Sequence, residues 1–147
     1  MLIVVATGLV LSVAVALAAT DMAVITDSGS TNTAGFRIEV NRSGEAVYTA
    51  TARRRSQLSE EQLKPRSREV PGGLVKRFFA DLDAAKSFST LPGQGCMKSA
   101  SFGTTLTVEY HDQKSPDLRC GDRGNARLKA LIQETDEIIR VFDTTEH

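Results

Sequence analysis

The sequence predicts an α+β fold: a mostly antiparallel sheet from two hairpins, with two amphipathic helices packed on one face in the order ββαββα. Three observations point to it. Apolar residues alternate with polar ones through 36–41 and 100–110, at the period of half-buried strands. Two later segments carry apolar stripes at helical spacing. Short polar runs containing Gly or Pro separate these blocks.

A segment of different character precedes the first strand. Residues Leu2 to Ala18 carry no charge and end in Ala16-Leu17-Ala18, small residues suited to a signal peptidase, before the polar pair Thr20-Asp21. Residues 1–18 therefore read as a signal peptide and 19–147 as a single exported domain. An uncleaved N-terminal anchor is the alternative, since about 17 apolar residues approach the length of a spanning helix. Removing 18 residues from 147 leaves 129. The remainder is about 35% apolar, enough for one modest core.

Ala23 to Thr26 is a short β-type run, stopped by Asp27-Ser28-Gly29-Ser30-Thr31-Asn32. Phe36, Ile38 and Val40 then alternate with Arg37, Glu39 and Asn41. Asn41-Arg42-Ser43-Gly44 supplies Asn for the first turn position and Gly for a left-handed residue. The returning strand is Ala46 to Ala52. Residues 53–73 read as a polar loop opened by Arg53, Arg54 and Arg55, with Ser59 and Gln62 placed to cap one helical turn. The three arginines are a candidate interaction site. Leu74 to Phe88 is an amphipathic helix whose stripe comprises Leu74, Val75, Phe78, Phe79, Leu82, Ala85 and Phe88. The second hairpin places Ala100, Phe102, Leu106, Val108 and Tyr110 on one face, turns over His111 to Ser115 and restarts at Pro116. The last helix follows a cap at Asp122 or Asn125 and buries Leu128, Leu131, Ile132, Thr135, Ile138, Ile139 and Phe142.

Charge excludes some functions. Eighteen Lys and Arg balance 18 Asp and Glu, so no net positive field holds a nucleic acid or an anionic membrane. The only membrane association expected is through an uncleaved leader. The balance still hides a basic middle and an acidic end. Two His and two Cys are too few for a tetrahedral zinc site of those ligands, and no metal or cofactor is expected. His111 falls in a turn and His147 at the chain end, and neither is placed for catalysis.

Export gives Cys96 and Cys120 an oxidising environment, in which an even pair forms a disulfide. If Cys120 lies opposite Thr105, Cys96 is about 30 Å away along a straight strand. The bridge requires either that Gly93-Gln94-Gly95 fold back or that the second strand be short and followed by a returning loop. Two reduced thiols are the other possibility.

One motif carries potential chemistry. Ala23-Val24-Ile25-Thr26-Asp27-Ser28-Gly29-Ser30 resembles the D-[ST]-G-[ST] loop of aspartic proteases. That resemblance implies Asp27 as a catalytic carboxylate sharing a proton with a second copy across a homodimer, as in the retroviral-type enzymes. Thr26 departs from the apolar strand of that family, and no glycine-rich flap or later hydrophobic-hydrophobic-Gly segment accompanies the motif.

Three segments are similar to uncharacterised exported bacterial proteins. They are Asp27 to Asn32 with Gly35-Phe36, Cys96-Met97-Lys98-Ser99 with Ser101 to Thr104, and Ser115 to Cys120. The resemblance implies export and a cysteine pair, but no activity. With no nucleophile elbow, phosphate loop or zinc-protease motif in the chain, the sequence reading is a non-enzymatic binding module in the periplasm or outside the cell. Its partner would be an envelope or extracellular protein, met by the exposed sheet face or the basic loop. The alternative is a homodimeric aspartic protease using Asp27.

Overall fold

The computed structural model describes residues 21–52, 58–85, 87–93, 95–121 and 123–143. The expected signal peptide, the Arg53-Arg54-Arg55 site, Asp122 and His147 lie outside these residues. Six strands and two helices follow one another as β1 (Met22–Asp27), β2 (Gly35–Asn41), β3 (Glu45–Thr51), β4 (Arg66–Glu69), α1 (Gly72–Ala85), β5 (Leu106–Tyr110), β6 (Gln113–Lys114) and α2 (Ala126–Asp143). They form one antiparallel sheet in the order β4-β3-β2-β1-β5-β6.

The architecture is α+β as expected, but its order is ββββαββα. The short run before the first hairpin is a full central strand: β1 pairs with β2 through Ile25 and Ile38 and with β5 through Ile25 and Val108. Residues 53–73 are not wholly loop either. Ser59 and Gln62 cap each other reciprocally, Ser59 N donating to Gln62 Oε1 and Gln62 N to Ser59 Oγ. Beyond that turn, β4 adds an edge strand.

One face of the sheet is core. Ala23, Ile25, Ile38, Val40, Ala46, Leu106, Val108 and Tyr110 are buried on it, as period-2 alternation requires. Both helices cover this face. Helix α1 buries Leu74, Val75, Phe78, Phe79, Leu82 and Ala85; α2 buries Leu128, Leu131, Ile132, Ile138 and Phe142. Asn125 Oδ1 caps α2 by accepting from Leu128 N at 3.0 Å. Each fully buried Phe or Leu stabilises the fold by roughly 1.5–3 kcal/mol. The opposite face carries Thr26, Arg37, Glu39, Thr49 and Glu109 on the four inner strands, with Arg37 paired to Glu39 at 2.8 Å.

Two further sequence expectations are corrected. The strand predicted from Ala100 starts only at Leu106, and residues 100–102 form a turn that leaves Phe102 in solvent. A Cβ at Gly103 would lie 2.5 Å from the Ser99 carbonyl oxygen, so only glycine closes this turn. The hairpin turn is His111-Asp112, both at positive φ, rather than 111–115. Strand β6 then ends after two residues, and Leu118–Cys120 forms a 3-10 turn. The short strand and returning loop bring Cys96 and Cys120 together, bonded with their Cα atoms 5.5 Å apart.

Candidate functional site

The two ends of β1 hold separate polar clusters, about 20 Å apart at the rise of an extended chain. At its start, Arg42 in the β2–β3 turn sits among groups that the sequence does not bring together. That turn forms as its residues dictate: Asn41 Oδ1 accepts from Ser43 N and Glu45 N, and Gly44 adopts φ 96°. Arg42 donates to Asp21 Oδ2 at 2.8 Å, to both Asp83 oxygens at 2.9 Å and to the Tyr110 hydroxyl at 2.6 Å. Its guanidinium lies 4.7 Å from the centre of the Phe79 ring. These partners, Asp83 foremost, make it still harder to deprotonate. His111 Nε2 lies 2.8 Å from Asp21 Oδ1, and its ring stacks on Tyr110.

Hydrogen bonds from His111 and Arg42 hold the Asp21 carboxyl below its usual range. Burial, followed by the Asp83 carboxylate, raises the Tyr110 phenol. One adjoining pocket, lined by Leu82, Asp83, Phe88, Tyr110, His111 and Gln113, holds about 140 Å³; two shallower ones, lined in part by Arg42, Phe79 and Asp83 and by Met22, Tyr110 and His111, hold about 330 and 460 Å³. This cluster ties the chain entering β1 to α1 and the β5–β6 turn.

The candidate catalytic residue, Asp27, ends β1 at the other pole. Its side chain is 5% exposed. Oδ1 accepts from Gly29 N at 2.9 Å; Oδ2 accepts from Thr104 Oγ1 at 3.0 Å and from Arg119 at 3.2 Å. Gly29 takes φ 59°, and a Cβ there would lie 2.5 Å from Gly35 N. The D-S-G turn is thus closed by its own chain. Ser28 N donates to the Thr105 carbonyl, and Thr105 N returns a bond to Ser28 Oγ. Both oxygens of Asp27 face donors of the same molecule, so its local role is to brace three segments against one another.

The segment it braces is 95–105. The Ser101 carbonyl accepts from Ser30 Oγ at 2.7 Å and Asn32 N at 3.1 Å. Lys98 Nζ reaches Asp117 Oδ2 and donates to the Thr104 carbonyl. Asp117 Oδ1 accepts from Leu106 N and Arg119 N. The disulfide fixes Cys96. On this tethered loop Met97 is 103% and Phe102 67% exposed. Sequence reasoning counted Phe102 as core because it continues the alternation of β5. The competing signal was the small-residue run Ser99-Ala100-Ser101 between Gly95 and Gly103.

Among the described residues no group of His, Cys, Asp and Glu is placed to hold a metal ion, and no helix is long and apolar enough to cross a membrane. Neither a protein-family model nor a curated protein sequence matches this chain.

Proposed function

We propose that the chain is an exported, non-enzymatic interaction domain that binds a protein in the envelope or outside the cell through the pole formed by residues 95–105. The observation that carries this reading is the full exposure of Met97 and the large exposure of Phe102 on a loop held by a disulfide, a lysine and backbone bonds. Anchors fixed before association lose little conformational entropy on binding, which is how a few residues come to dominate an interface. This pole joins the basic loop and the sheet face as a candidate contact surface. A disulfide between Cys96 and Cys120 is compatible with an oxidising location, and the leader-like residues 1–18 support export.

The protease alternative draws no support from Asp27. What stands against it is that the Asp27 side chain is only 5% exposed and is paired with Arg119 at 3.2 Å, so that little of the carboxylate is open to a second copy.

The test is cross-linking in intact cells expressing the chain with residues 1–18, comparing wild type with the M97S/F102S double variant. A discrete adduct with an extracytoplasmic protein, lost in the variant, is expected. Identical adducts from both chains, or cytoplasmic partners alone, would overturn the reading.

A further inference from the structure

The two exposed anchors differ in what holds them. Phe102 sits in a turn closed by Gly103 N donating to the Ser99 carbonyl at 2.7 Å, and the preceding carbonyl, that of Ser101, takes bonds from Ser30 and Asn32. None of these involves a cysteine. Met97 lies between Cys96 and Lys98. Lys98 is secured to Asp117 and the Thr104 carbonyl, so the other side of Met97 depends on the Cys96–Cys120 bond. Upstream, nothing lies within 4 Å of where a Cβ of Gly95 would stand, so among the described residues the disulfide is the tie seen on that side of Met97.

We infer that the Cys96–Cys120 disulfide sets the spacing of two binding anchors, so that its reduction uncouples Met97 while leaving Phe102 in place and weakens binding without abolishing it. This deepens the interaction reading above and rests on it. The reductant is a dithiol. Its thiolate attacks the sulfur of Cys96, the more exposed cysteine, expelling the Cys120 thiolate, and its second thiol then attacks the mixed disulfide to release Cys96. The dithiol leaves as a disulfide, and its two protons end on the two cysteines.

The partner this loop fits is a protein with an apolar pocket and an uncharged rim. The cations beside the loop are already paired, Lys98 with Asp117 and Arg119 with Asp27 and Asp136. An anionic bilayer is held by unpaired cations around inserted apolar side chains, and the loop offers none. A second copy of the chain is also a poor occupant. Met97 and Phe102 together would bury on the order of 300–400 Å², against roughly 800 Å² per partner for a standard interface. A concave partner surrounds both side chains and adds the Ser- and Thr-rich rim.

The experiment places a photoreactive phenylalanine analogue at position 97 or at position 102 of the full chain and illuminates intact cells, with or without prior treatment with dithiothreitol. Adducts are mapped by mass spectrometry. In untreated cells both positions should label apolar residues of one protein. After reduction the yield from 97 should fall roughly tenfold, as for loss of one anchor, and that from 102 by no more than about twofold. A C96S/C120S chain should reproduce the reduced pattern without dithiothreitol. Equal loss at both positions, no loss at 97, or adducts confined to lipid or to the chain itself would overturn the inference. Absence of any adduct at either position would instead remove the interaction reading on which it rests.

Discussion

Arg119 donates to Asp27 Oδ2 at 3.2 Å across 92 residues of sequence, joining the end of the central strand to the 3-10 turn that carries Cys120. Replacing Asp27 therefore disrupts three contacts at once. D27N should lower the unfolding free energy by roughly 2–4 kcal/mol, because Asn keeps one acceptor and turns a donor toward other donors. R119A should cost no more than about 1 kcal/mol, its side chain being 42% exposed. Urea unfolding of the two variants checks the ranking, and a D27N variant as stable as wild type would contradict the bracing role.

Gly35 pairs with Thr51 in β2–β3 and passes against the D-S-G turn. A Cβ there would collide with the Asp27 carbonyl oxygen and stand 2.7 Å from Gly29 N. Both neighbours are backbone and cannot swing aside. G35A should thus destabilise by about 2 kcal/mol or more, with loss of amide protection at Gly29 and Ser30. G72A is the control, having nothing within 4 Å, and should change stability little.

The disulfide spans 24 residues. In the chain-entropy account, closing such a loop is worth about 3 kcal/mol. C96S/C120S should therefore unfold at lower urea than wild type but remain folded under native conditions, its core being elsewhere. Far-UV circular dichroism with and without reductant measures both.

Glu134 gives the fold a pH dependence of unusual sign. Its side chain is 8% exposed between α1 and α2, Oε2 has no hydrogen-bond partner, and Arg77 approaches Oε1 only to 3.8 Å. Burial, with the neighbouring Asp81 carboxylate, pushes its carboxyl up to about 7. A carboxyl raised on folding binds its proton more tightly in the native state, so its contribution is fully present below about 4.5 and is lost as pH rises through 7. The protein should unfold at lower temperature at pH 8 than at pH 5.5. E134Q should remove most of that slope and be more stable than wild type at pH 8 by on the order of 2 kcal/mol. A wild-type midpoint that rises from pH 5.5 to pH 8 would contradict this.

Periodicity made the core legible. The stripe Leu74, Val75, Phe78, Phe79, Leu82 and Ala85 and the alternation Phe36, Ile38, Val40 mark residues that pack as their spacing requires. Strand β4 was invisible because Arg66-Ser67-Arg68-Glu69 has no apolar residue. It is an edge strand, held by its pairing to β3 and by the Arg66 guanidinium 4.4 Å over the Tyr48 ring. The polar clusters were illegible for another reason. Arg42, Asp83 and Tyr110 meet only once β1 takes the centre of the sheet between β2 and β5, a pairing that no local pattern encodes. The same pairing brings Thr104 and Arg119 to Asp27.

The most direct test of the interaction pole is the yield of cross-linked partner per folded molecule from a photoreactive residue at position 100, exposed between the two anchors. It is compared in the wild-type and M97S/F102S chains. Because neither anchor is buried, the double variant should match wild-type stability within about 0.5 kcal/mol while its adduct yield falls at least tenfold. An undiminished yield from the equally stable variant would contradict the account.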